Sequence, residues 1–161
     1  PFAEEQYKFA GWQPAHSLLG LASGGLFGVG LGASRQKWGN LSQAHTDFIF
    51  SVIGEELGLF GTLATLLLLA LLLFSIFKLA LRASDPMVRY VCAGLGCWIA
   101  IQTVLNIGSA TSVLPVVGVT LPLVSYGGSA LVATLCAVGF VAGAALRDPA
   151  VRKEIVKKRN K

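Results

Sequence analysis

"LGLFGTLATLLLLALLLFSIF", residues 57–77, decides the fold. No charged residue interrupts it, and from Gly61 onward it is almost purely aliphatic. At about 1.5 Å per residue it is long enough to cross a bilayer core of about 30 Å as a helix. A second charge-free run, from Tyr90 to Leu146, is too long for one crossing, so the chain must turn back inside it. "TSVLPVVGVTLPLVSYGG" (111–128) supplies the break with Pro115, Gly118, Pro122, Gly127 and Gly128. The pattern predicts an all-α polytopic membrane protein with three spanning helices over 48–146, at about 48–81, 87–110 and 124–146. Composition agrees: with 54% hydrophobic and 13% charged residues in 161, this is not an ordinary soluble domain.

Working outward, the cations set an orientation. Lys78, Arg82 and Arg89 flank the first connection, and seven more lie between Arg147 and Lys161, whereas the connection between the second and third spans carries no charge. The positive-inside rule places 82–89 and the basic tail 147–161 in the cytoplasm, and the segment 1–47 and the loop 111–123 on the outer face. The net charge of +5 is thus a matter of topology and of attraction to anionic lipid. It is no nucleic-acid footprint, since no aromatic stacking platform accompanies it. Cys92, Cys97 and Cys136 all fall in the spans and read as small packing residues, with no disulfide or zinc spacing. A start at Pro1, without a signal-peptide pattern, suggests a piece of a longer chain.

The segment 16–34, "HSLLGLASGGLFGVGLGAS", holds six glycines and suits an interfacial or re-entrant element, with Trp12 and Trp38 as anchors. "GVGLGA" within it imitates a dinucleotide fingerprint, but no strand precedes it and no βαβ unit follows. Arg35 and Lys37 run against the positive-inside bias. They read either as solvated loop charges or as phosphate contacts.

Three carboxylates stand at the mouth of the first span. Asp47, Ser51 and Glu55 recur every fourth residue and form one polar stripe, while Glu56 points about 100° away. An ionisable group at membrane depth needs a partner or a function. Asp47 reads as a helix N-cap or as a group that meets a polar substrate at the water-accessible face. His45 and Asp47 diverge on a helix, which disfavours a hydrolytic triad. Gln102 and Asn106, with Ser109 a turn on, give the second span a polar face that must point inward. Gly139 and Gly143 form a GxxxG packing pair on the third. Together these residues outline an outer cavity above an apolar chamber, suited to an amphipathic substrate.

"GLGASRQKW", "LSQAHTDFIFSVIGEELGLFG" and "NIGSATSVLPVVGVTLPLVSYGGSA" resemble the characteristic stretches of the FtsW/RodA/SpoVE family, in order and spacing, from about Trp12 to Arg147. "VIGEELG", with Gly54, is closer to the FtsW cell-division branch than to RodA. The resemblance implies the last three of ten membrane helices and polymerisation of lipid II into peptidoglycan strands at the outer face of the cytoplasmic membrane. It implies a class B penicillin-binding protein and other division proteins as partners. The family's essential aspartate maps onto Asp47, which would act as base on the acceptor 4-hydroxyl or position the acceptor. Desolvation would help it.

Arg35 and Lys37 could then stabilise the developing pyrophosphate charge. His45, Glu55, Gln102, Asn106 and Ser125 are further substrate-contact candidates. A divalent cation is the one cofactor left open, with no ligands readable. Departures from the family pattern are Ser42 and Gln43 for Pro and Glu, Ser112 for Gly, and Val117 for Lys or Thr. Two rival readings are a lipid II transporter and a non-catalytic division scaffold.

Overall fold

The computed structural model describes residues 12–30, 32, 49–115 and 117–149. All regular structure among them is helical: α1 Trp12–Ser23, α2 Ile49–Arg82, α3 Pro86–Ala110 and α4 Gly128–Arg147. The last three are long and apolar enough to cross a membrane. Arg35, Lys37, Trp38, Ser42, Gln43, His45, Asp47 and the tail beyond Pro149 lie outside the described residues.

α2 and α3 form an antiparallel hairpin because the connection is short and firmly capped. Ala83–Asp85 link them, the Asp85 carboxylate accepts from the Met87 amide at 2.8 Å, and Pro86 occupies the first turn, where its missing N–H costs nothing. The pair packs closely where Gly96 meets Ile76 and Phe77; a Cβ at Gly96 would stand 3.0 Å from Ile76. Ile76, Leu79, Ala80, Cys92, Ile99 and Val141 build the core at this end. α4 joins it through Val141, with Val138, Ala144 and Ala145 packed against the same cluster. Just past α4, the buried Asp148 carboxylate accepts from the Ser84 amide at 2.7 Å and the Ser84 hydroxyl at 3.1 Å. The end of α4 is therefore fastened to the α2–α3 turn.

At the opposite end Phe50, Leu69, Ala110 and Leu121 form a second apolar cluster. The charge-free connection from Thr111 folds over it, and α4 starts at Gly128, later than the 124 read from the sequence. Leu121–Ser125 close a turn instead, with the Ser125 amide bonded to the Leu121 carbonyl at 3.0 Å and Leu123 at φ 63°. Between the two clusters the helices expose Leu63, Leu67, Leu68, Leu71 and Phe74. Such a surface is stable against lipid or further apolar helices and not against water.

Two features go beyond the sequence expectation. Trp12–Ser23 is a regular helix, and only the glycine-dense half of the segment leaves it. α1 packs on α2 and α3 through its small face, Ser17, Gly20 and Gly24. Moreover α2 is not one continuous helix. Gly58 adopts φ 66° and ψ −158°, a region in effect open only to glycine, and breaks the helix two turns from its start. The part after Gly58 still runs about 36 Å at about 1.5 Å per residue, enough to span alone.

Candidate active site

The break at Gly58 should strand backbone groups. In an unbroken helix the amides of Leu59 and Phe60 would bond the carbonyls of Glu55 and Glu56. Here those two carbonyls accept from Val29 and Gly30 amides at 2.9 and 3.2 Å. The Leu59 and Phe60 amides donate instead to the Gly25 and Leu26 carbonyls, at 3.0 and 3.5 Å. The loop 24–30 is thus spliced into the helix, and each group released by the break is paired again, as a low-dielectric surrounding demands.

The splice needs glycine on both sides. A Cβ on Gly24 would lie 1.8 Å from the Gly54 carbonyl oxygen, one on Gly28 2.1 Å from that of Glu56, and one on Gly58 2.4 Å from the Gly28 nitrogen. Phe27 and Phe60 cover the junction, ring centroids 5.5 Å apart.

The half-helix Ile49–Leu57 that results carries the carboxylates. Ser51 and Glu55 both lie on its buried side, Glu55 only 3% exposed. Glu56 is half-buried, and its Oε1 has no hydrogen-bond partner among the described residues. Below it, Ser17 ties three helices together. Its single hydroxyl proton goes to the Ala110 carbonyl at 2.6 Å, so the Ser51 hydroxyl donates to Ser17.

The polar face of α3 is turned toward the loop after it. The Asn106 amide donates to the Val119 carbonyl at 2.6 Å, and Gln102 Nε2 donates to the Thr120 hydroxyl at 3.2 Å. Ser125 Oγ accepts from the Leu121 amide at 2.7 Å. Gln102, Asn106 and Ser125 are thereby brought together around residues 119–125, where each holds the loop in shape. Ser109 turns back to its own helix, bonding the Asn106 carbonyl. Gln102 Oε1 is buried and has no partner among the described residues. No three His, Cys, Asp or Glu among the described residues converge as a metal set.

Sequence reasoning missed the splice, Ser17 and Thr120. The signal for the splice was present as two glycine pairs at a spacing of four, Gly24 with Gly28 and Gly54 with Gly58. Such small-residue pairs let two backbones approach. The GxxxG that was singled out, Gly139 and Gly143, has open space within 4 Å of either glycine in this chain.

Three membrane-crossing helices, with polar groups gathered at one end, define a multi-pass membrane protein with a site at the α1 end. The chain belongs to the FtsW/RodA/SpoVE family, whose model, described as a cell cycle protein, matches residues 1–148. It is 44% identical over 142 residues to the "Probable peptidoglycan glycosyltransferase FtsW" of Bacillus subtilis, covering 86% of this chain and 35% of that one. It is 48% identical over 130 residues to the "Stage V sporulation protein E" of the same organism, covering 81% and 36%. The chain therefore spans about a third of the length of these curated relatives.

Among solved structures, it resembles a mutant of the Thermus thermophilus Rod shape determining protein RodA, with a TM-score of 0.59 and 42% identity over 79% of this chain and 38% of that one. It also resembles a chain of a peptidoglycan synthase complex described as coordinating polymerization and crosslinking, with a TM-score of 0.62 and 36% identity over 79% and 35%.

Proposed function

We propose that this chain is the carboxyl-terminal part of a peptidoglycan glycosyltransferase that polymerises lipid II at the outer face of the cytoplasmic membrane during cell division. The observation that carries the reading is the match, over 86% of this chain, to a relative named a probable peptidoglycan glycosyltransferase. The geometry supports it. Carboxylates sit at one end of a spanning helix, on a half-helix fixed by the splice, and Asp47 precedes that half-helix by two residues. The opposite end, with Lys78, Arg82, Arg89 and the basic tail, faces the cytoplasm. A class B penicillin-binding protein is the partner, in keeping with the similar chain of a synthase complex.

In this reading Asp47 takes the proton of the acceptor 4-hydroxyl, or orients it, as that oxygen attacks the anomeric carbon of the donor. The lipid pyrophosphate leaves from the opposite face. One inverting displacement converts the α-linked donor into a β-1,4 linkage. Arg35 and Lys37 stabilise the charge that grows on the pyrophosphate. His45 and Glu55 line the acceptor side. Gln102, Asn106 and Ser125 act through the loop they hold and not by direct contact with the sugar.

A broken helix also occurs in transporters, where unwound backbone groups coordinate the transported ion or substrate. Here those groups are taken up by the loop 24–30, and the break lies near one end of the span. Both facts favour chemistry over translocation.

The test is polymerisation of labelled lipid II by the whole protein with its transpeptidase, native against Asp47→Ala, at equal membrane insertion. Loss of about 100-fold or more is expected for removal of a general base. Equal chain formation by both proteins would return Asp47 to the role of helix cap and favour the transport or scaffold reading.

A further inference from the structure

We propose that the loop 24–30 is a brace that sets the direction of the half-helix Ile49–Leu57 for catalysis, which makes Gly24, Gly28 and Gly58 positioning residues of the transferase. The proposal rests on the glycosyltransferase reading and deepens it. A helix interrupted by a residue at φ 66° and ψ −158° has no covalent reason to hold one angle across the break. The angle must be held from outside, and Gly25, Leu26, Val29 and Gly30 do so by bonding the helix on both sides of the break, Glu55 and Glu56 before it and Leu59 and Phe60 after it.

The grip falls on the residues that carry the carboxylates. Val29 and Gly30 bind the main-chain carbonyls of Glu55 and Glu56 themselves, so a shift of the loop shifts both side chains. From the other direction Ser17 anchors α1 to Ser51 and to the Ala110 carbonyl. The half-helix is thus held at its first turn and at its last.

The spacing leaves no tolerance at the contact itself. At Gly24, Gly28 and Gly58 the atoms nearest to an added Cβ are backbone, which cannot swing aside as a side chain can. A single methyl must therefore part the loop from the helix. Displacement of a catalytic group by about 1 Å can cost about 100-fold in rate with binding little changed.

The experiment uses the whole protein in lipid nanodiscs with its transpeptidase. Hydrogen–deuterium exchange is followed in peptides covering 25–30 and 57–61, beside steady-state polymerisation of lipid II. For Gly28→Ala, exchange should rise in both peptides together, and kcat should fall by about 100-fold while KM stays close to native. Gly94→Ala, on an open helix surface, should leave both readouts unchanged.

Raised exchange with native kcat would overturn the brace, as would native exchange in Gly28→Ala. A native protein that makes no glycan overturns the transferase reading, and the positioning role with it. The exchange data separate that failure from a loop that was never docked.

Should Gly28→Ala fail to insert, Phe27→Cys with Phe60→Cys, in a background lacking Cys92, Cys97 and Cys136, gives a second arm. Oxidation pins the loop to the helix, and the oxidised protein should polymerise at the same rate as the same variant kept reduced. Loss on oxidation that reductant restores would show that the loop must open, and would overturn a fixed brace.

Discussion

Ser17 offers a sharp test of the packing that holds the site, because one hydroxyl serves two partners unequally. It is fully buried, donates to the Ala110 carbonyl at 2.6 Å and accepts from Ser51. Ser17→Ala strands a buried carbonyl, at about 1–3 kcal/mol, and also leaves the Ser51 O–H without its acceptor, for a total of about 2–4 kcal/mol. Ser51→Ala removes only a donor. Ser17 keeps its own bond to Ala110, so the cost is that of one net hydrogen bond, about 0.5–1.5 kcal/mol.

In the double variant the orphaned Ser51 hydroxyl is gone, so the combined cost should fall below the sum and lie no higher than that of Ser17→Ala alone. Thermal unfolding in detergent micelles, followed by tryptophan fluorescence, would rank the three proteins. Ser51→Ala costing as much as Ser17→Ala would refute the assigned proton direction. Additive costs would refute the coupling.

Three further outcomes follow from single contacts. Asn106→Leu should destabilise by about 1–3 kcal/mol, because the Val119 carbonyl loses its 2.6 Å partner, whereas Gln102→Leu frees only a threonine hydroxyl that can turn elsewhere; unfolding midpoints of the two compare them directly. Ile99→Ala, at a site with no exposed surface, should cost about 2 kcal/mol, the lower end for a core truncation, since in lipid the lost packing counts and the transfer from water does not; the same unfolding assay measures it. Ser112 sits at φ 59°, so Ser112→Gly should be neutral or raise stability by up to about 1 kcal/mol, read as an equal or higher unfolding midpoint.

That last residue shows how far the sequence carries. The resemblance leads one to expect glycine at Ser112, and the backbone angle of 59° is one that glycine adopts without strain. The α2–α3 turn was placed by its flanking charges alone, and the structure adds that Asp85 caps α3 and Pro86 fills its first turn. Gln102 and Asn106 were readable as an inward polar face from their spacing alone. Their partners were not, since Val119 and Thr120 reach them only after the chain has turned at Pro115 and Gly118.

The sequence by itself determined that this is a membrane protein with three apolar helices, because charge-free length is a one-dimensional property and the bilayer fixes the length required. It also determined the family, through long motifs that need no folding to be compared. Only the tertiary structure decided that α2 breaks at Gly58. "GEELG" (54–58) reads locally as continuing helix, with Glu and Leu among the good helix formers. The break is stable only because residues 25–30, remote in the chain, supply the amides and carbonyls that the helix gives up. The glycine pairs Gly24/Gly28 and Gly54/Gly58 mark two places where backbones can approach, but not which backbone comes to which, and so the pairing around the carboxylates became visible only in three dimensions.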